Sequence, residues 1–146
     1  MEPTGSQVVD RLVEAISNHD ADAMMDCLHQ DYRSEQPLHP AAAFSGREQV
    51  GKNWSLMFDD VPDLTLDVLR SAMAGDEVWT ELHVHGEKTD RTPFEYRGIT
   101  VWGVRDDRIA WGRLYFETVE AGGVDIDQRM QQVLDNPTTA SEEPPV

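Results

Sequence analysis

Apolar residues recur at three- and four-residue spacings along the first third of the chain. Val8, Val9, Leu12, Val13 and Ile16 form one stripe of a helix. Thr4 and Gln7 have the spacing of a capping box, which predicts a helix start near Gly5. In "NHDADAMMDCLHQDY", Asp20 or Asp22 offers a second N-cap, with Met24, Met25 and Leu28 facing inward and an end near Gln30. Two prolines within four residues in "RSEQPLHPAAAFSG" break any long element and leave a short strand or turn around Ser34 to Gln36. "SGRE" then sets Ser45 and Glu48 at capping-box spacing ahead of Val50, Trp54, Met57 and Phe58, a third helix that stops before "DDVPD".

Beyond Pro62 the apolar period falls to two, the mark of strands. "LTLDVLRSA", "EVWTELHVHGE", "FEYRGITVWGV" and "RIAWGRLYFETVE" read as four strands joined by short turns, hence an antiparallel meander. Three helices followed by such a meander predict an α+β domain over residues 1–122, with the helices on one face of a twisted sheet that curls into an open cone. Residues 123–146 predict a short helix around Ile126 to Leu134 and a polar, proline-rich tail, disordered over its last ten or so residues. In the second strand the two faces are Val78, Thr80, Leu82, Val84 and Trp79, Glu81, His83, His85. Periodicity leaves open which of them points inward.

A length of 146 residues with 39% apolar content fits one domain with its own core. The formal net charge of -16, from 28 acidic and 12 basic side chains, leaves no Lys/Arg stripe to neutralise phosphates, which argues against nucleic acid and anionic membranes as partners. Cys27 is the single cysteine, so no internal disulfide forms, and its place in "AMMDCLH" predicts a buried thiol. The N-terminus carries neither a basic nor an apolar leader region, and no apolar run reaches the length of a membrane span, which sets the expectation of a cytoplasmic protein.

The order of elements and the strings "AISNHDADAMMDCLHQDYRSEQP", "SGREQVGKNW", "VPDLTLDV", "GDEVWTELHVHG" and "DDRIAWGRLYFE" resemble the NTF2-like superfamily, in particular its SnoaL-like group with ketosteroid isomerase and limonene epoxide hydrolase relatives. The resemblance covers roughly residues 7–118 and implies a cone with N-terminal helices packed on the concave face of a curved antiparallel sheet. It also implies that Trp79, Glu81, His83 and His85 line the pocket, with Ser34, Gln36, Thr100, Trp102, Leu114 and Phe116. The known chemistries do not transfer position by position. An isomerase-like site needs a carboxylate where this chain has Gln36 and an acid where it has Thr100. An epoxide-hydrolase-like triad meets Glu81, His83 and Leu114 instead, and a cyclase-like carboxylate on the last strand again meets Leu114.

Glu81 and His83, two residues apart on one strand face, emerge roughly 6 to 7 Å apart, close enough to share a proton through a water or a substrate atom. This predicts His83 as acid or base, Glu81 as its partner and Gln36 as a holder of water or a carbonyl, in a cofactor-independent cyclase, isomerase or hydrolase. The alternative is a binding or interaction module in which Glu81 and His83 merely solvate one another. Glu81, His83 and His85 on one strand face also suit a metal, because imidazoles at alternate positions can reach one ion, with His39 as a fourth group, but the spacing departs from the cupin pattern and the resemblance implies no cofactor. The expected partners are a small apolar organic ligand, with His39 in a flap loop at the mouth, and a second copy of the chain. That copy would dock on the outer sheet face carrying Trp111, Arg113, Tyr115 and Glu117.

Overall fold

A computed structural model describes residues 3–136. The first stripe forms α1 (Gln7–Ser17), with Val8, Val9, Leu12, Val13 and Ile16 buried. Each buried aliphatic side chain contributes about 1.5–3 kcal/mol, so the stripe anchors the helix firmly to the sheet. Its cap is Ser6, not Thr4: the Ser6 hydroxyl accepts from the Val9 amide. Thr4 instead donates to Asp10 from both its amide and its hydroxyl at 2.8 Å. Asp20 caps α2 (Ala21–Asp26), which ends sooner than the spacing predicts because Leu28, buried against the core, already belongs to a strand. α3 (Arg47–Asp60) begins after Gly46, whose φ of 101° suits glycine, and Ser45 sits in a strand instead of capping the helix.

Strands β1 (Leu28–Glu35), β2 (Phe44–Ser45), β3 (Thr65–Ala74), β4 (Glu77–Glu87), β5 (Pro93–Arg105) and β6 (Arg108–Thr118) form one curved, unclosed sheet in the order β2-β1-β6-β5-β4-β3. The predicted meander is β3 to β6, antiparallel throughout. β1 is longer than its proline-rich surroundings suggest and pairs in parallel with β6, so the sheet is mixed and not wholly antiparallel. Asp106 and Asp107, at φ of 52° and 59°, make the tight β5–β6 turn whose twist matches the strands it joins.

Register fixes which side chains share a face. Glu87 lies opposite Pro93 across the Lys88–Thr92 turn, so each β4–β5 pair joins two even or two odd positions. Val78, Thr80, Leu82 and Val84 therefore share a face with Tyr96, Gly98, Thr100 and Trp102, and through β6 with Gly112, Leu114 and Phe116. This is the helix-covered face: Val78, Thr80, Leu82 and Val84 are all buried there. α4 (Ile126–Asp135) forms where the pattern places it, with none of its residues buried. The tail expected to be disordered, residues 137–146, lies outside the described residues. Among those described, no helix is long and apolar enough to cross a membrane.

Gly98 permits the close approach of β5 and β6. A Cβ there would lie 2.1 Å from the Tyr115 carbonyl oxygen and 2.7 Å from the Phe116 Cα, both held in the ladder. Gly98→Ala is expected to lower the unfolding free energy by about 1–3 kcal/mol through this overpacking. Urea denaturation checks it; an unchanged midpoint would show that the two strands part without cost.

Candidate functional site

Between the concave face of the sheet and the three N-terminal helices lies a cavity of about 460 Å³. Leu12 and Ile16 of α1, Met24 of α2, and Leu66 and Leu82 of β3 and β4 form its apolar floor. Val50, Asn53, Trp54 and Met57 recur at helical spacing along α3 and close one side, and largely exposed Leu56 marks where the cavity meets solvent. Tyr96, Thr100 and Trp102 of β5 with Leu114 and Phe116 of β6 supply the sheet wall, where the Tyr96 and Phe116 rings stack with centroids 5.4 Å apart.

The polar groups in this wall are neutral. Tyr32, Ser34 and Gln36 emerge at every second position from β1 and its continuation, joined by Asn53, Tyr96 and Thr100. The Trp102 indole N–H donates to the Thr80 hydroxyl at 3.2 Å, which itself donates to the Thr100 carbonyl at 3.0 Å, so the indole presents only its apolar ring to the cavity. Gly112 leaves the room that the Tyr32 hydroxyl uses: a Cβ there would lie 2.3 Å from that oxygen. Among the described residues, none lining the cavity carries a carboxylate, an imidazole, an ammonium or a guanidinium. A charged surface depression lined by Arg47, Arg105, Arg108, Asp26, His29 and Asp31 lies apart from it.

Ser34, Gln36, Thr100, Trp102, Leu114 and Phe116 line the cavity, as the resemblance implies. Trp79, Glu81, His83 and His85 do not. They occupy the opposite, outer face, which corrects the expectation that the second strand aims them inward. Parity is the reason: with Thr80 opposite Thr100, the odd positions of β4 and the even positions of β5 stand on opposite sides of the sheet. Burying Val78, Leu82 and Val84 is favourable, whereas burying a carboxylate and two imidazoles would require partners the helices do not supply. Glu81 is held by Arg70 at 2.9 Å, and the two groups read as an acid–base pair are not paired, since His83 donates from Nε2 to Glu95 at 2.7 Å. His85 donates to Asp67 at 3.0 Å, and Trp79 is 45% exposed with its indole N–H on Glu77. His39 does not line the cavity either; its ring bonds Glu117 and ties the loop after β1 to β6.

Tyr32, Asn53 and Tyr96 are cavity residues that the sequence reading passed over. Each had a signal. Tyr32 lies two residues before Ser34 on a strand read as starting too late, Asn53 shares the face of Val50 and Trp54, and Tyr96 shares the phase of Thr100.

Residues 9–111 match the SnoaL-like domain family, and the chain belongs to that family. Solved structures with the same NTF2-like fold include an epoxide hydrolase of the limonene epoxide hydrolase type from Mycobacterium tuberculosis, 22% identical, with a TM-score of 0.64 over 76% of this chain and 80% of that one. A Catenulispora acidiphila protein with a ketosteroid isomerase-like fold, solved with trimethylamine, is 19% identical, with a TM-score of 0.64 over 73% of this chain and 82% of that one. A candidate polyketide cyclase from Sinorhizobium meliloti is 20% identical, with a TM-score of 0.59 over 75% of this chain and 93% of that one. No curated protein matches the chain in sequence.

Burial pushes the Tyr32 phenol up to about 12, with the Ser34 hydroxyl acting in the opposite direction. The folded state thus keeps a proton that the unfolded chain has lost, so stability is full below pH about 10 and falls as pH rises toward about 12. Tyr32→Phe is expected to remove an alkaline loss of about 2–3 kcal/mol, measured as urea midpoints for both proteins across that window. Parallel pH curves for the two would refute the assignment to Tyr32.

Proposed function

We propose that this SnoaL-like domain is a non-catalytic binder of a small, neutral, mostly apolar organic molecule held in the cavity. One observation carries the reading: a cavity of about 460 Å³ with aromatic and aliphatic walls and only neutral hydroxyl and amide groups among its lining side chains. An ionised ligand entering it would lose hydration without meeting an opposite charge, a cost of several kcal/mol. A neutral ligand instead gains from contact with Trp54, Trp102 and Phe116, while Tyr32, Ser34, Gln36 and Asn53 supply one or two hydrogen bonds that orient it. General acid–base turnover needs a group that exchanges protons near neutral pH within reach of the substrate, and the lining offers none. The solved neighbours that are hydrolases or candidate cyclases share the fold with this chain, and fold by itself does not carry their chemistry.

The aromatic end of the outer face supports a second copy of the chain as partner. Trp79 and Tyr115 are exposed there beside Trp111, Ile99 and the buried Val101. Aromatic anchors of this kind dominate protein interfaces. Trp79→Ser is expected to weaken self-association at least about thirty-fold, read by sedimentation equilibrium, if this patch is the contact. Wild-type protein that stays monomeric at high concentration would dispose of it.

The cavity reading is tested by fluorescence titration with phenylnaphthylamine, a neutral apolar probe. Binding is expected for the wild type and for Glu81→Gln on the outer face, with a loss of about tenfold or more for Leu114→Trp, which fills the cavity. Equal binding by Leu114→Trp, or no binding by the wild type, would count against it. So would turnover of any bound substrate with a bell-shaped pH profile.

A further inference from the structure

We propose that His83, His85 and Asp67 form a site for one divalent transition-metal ion of the zinc class on the outer face of the sheet, away from the cavity. Alternate positions on a strand rise about 6.6 Å apart, yet the two imidazoles lean together, with ring centroids 4.6 Å apart and planes inclined at 31°. Asp67 stands directly opposite His83 in the β3–β4 ladder and reaches diagonally to His85. One ligand atom from each of the three side chains lies within 4.8 Å of the other two. Around a tetrahedral zinc with bonds of about 2.0–2.1 Å, ligand atoms sit about 3.3 Å apart. The separations exceed that by at most about 1.5 Å, a gap on the scale of side-chain rotation.

The donor chemistry points the same way. Both rings already direct Nε2 at a carboxylate, His85 at Asp67 and His83 at Glu95. A metal ion would take the place of the proton on each Nε2: a singly protonated ring shifts that proton to Nδ1 and a doubly protonated one releases it to solvent, so each ligand is a neutral imidazole, and Glu95 is the candidate fourth donor. Two imidazole nitrogens with carboxylate oxygen suit zinc, cobalt, nickel or copper and not calcium or magnesium, which favour all-oxygen sites. His83 is held in place before any ion arrives, its side chain being only 18% exposed, which separates it from a freely rotating surface histidine. The nearest cation in the ladder, Arg97, lies opposite His83 and has Glu117 opposite it on the other side. The site differs from the grouping expected from the sequence in using Asp67 in place of Glu81, which is bonded to Arg70, and in excluding His39, which sits two strands away on Glu117.

The test is calorimetric titration of zinc into chelator-stripped protein purified without a histidine tag, with cobalt absorption as a second readout. One zinc per chain with micromolar or tighter affinity is expected, together with the visible absorption of four-coordinate cobalt. His83→Ala and His85→Ala should each weaken binding by about 100-fold or more and Asp67→Asn by about tenfold, whereas His29→Ala should bind as the wild type does. If His83→Ala fails to fold, as judged by circular dichroism, the half-exposed His85 and Asp67 carry the comparison. Wild-type protein that takes up no zinc at tens of micromolar, or equal uptake by His85→Ala and Asp67→Asn, would overturn the proposal. Probe binding in the cavity is unaffected by either result, so this site and the cavity stand or fall separately.

Discussion

Val78, Thr80, Leu82 and Val84 fill the interval between the sheet and the helices, packed with Val9, Leu12 and Ile16 of α1. A strand offers its side chains to two faces in strict alternation, so burying that set sends Trp79, Glu81, His83 and His85 to the other side. Hydrogen-bond register then carries the choice across β5 and β6, position by position, until the whole sheet has one apolar concave wall and one mixed outer wall. A slip of one residue anywhere in that ladder would exchange them, at the cost of exposing three aliphatic side chains and burying three ionisable ones.

The concave wall shows how a polar residue can serve an apolar surface. Thr80 and Thr100 are buried, and the chain of hydrogen bonds from Trp102 to Thr80 to the Thr100 backbone satisfies the donors that would otherwise demand water or ligand. What remains polar in the cavity is concentrated on β1 and its continuation, at Tyr32, Ser34 and Gln36, opposite the aromatic side chains of α3 and β5. A ligand would therefore be gripped by dispersion and desolvation along most of its length and oriented from one edge.

The outer wall is divided along the strands. Around Trp79, Val101 and Trp111 it is aromatic and aliphatic, and two rows further on, at Asp67, His83, Arg97 and Glu117, it is almost wholly ionisable. Side chains there find their partners across strands: Arg70 on Glu81, His83 on Glu95, His85 on Asp67. Such pairs, part-exposed, contribute little stability each. They leave the imidazoles close together and their reactive nitrogens aimed at carboxylates.

The amino-acid sequence by itself determined the elements that local chemistry controls. The stripe from Val8 to Ile16, the change of period after Pro62 and the short turns of the meander each act within a few residues of chain, and the α+β architecture follows from their order. It also held the better clue to orientation in the chemistry of the two faces: Val, Thr, Leu, Val on one phase of β4 against Trp, Glu, His, His on the other. Only the tertiary structure decided the parallel pairing of β1 with β6, the early end of α2 and the length of β1, because these depend on contacts such as Leu28 with Ile109, distant in the chain. It alone decided that Thr100 shares a wall with Thr80 and not with Glu81, since the face a strand residue takes is set by cross-strand register and by what the helices bury, neither of which is a property of one segment.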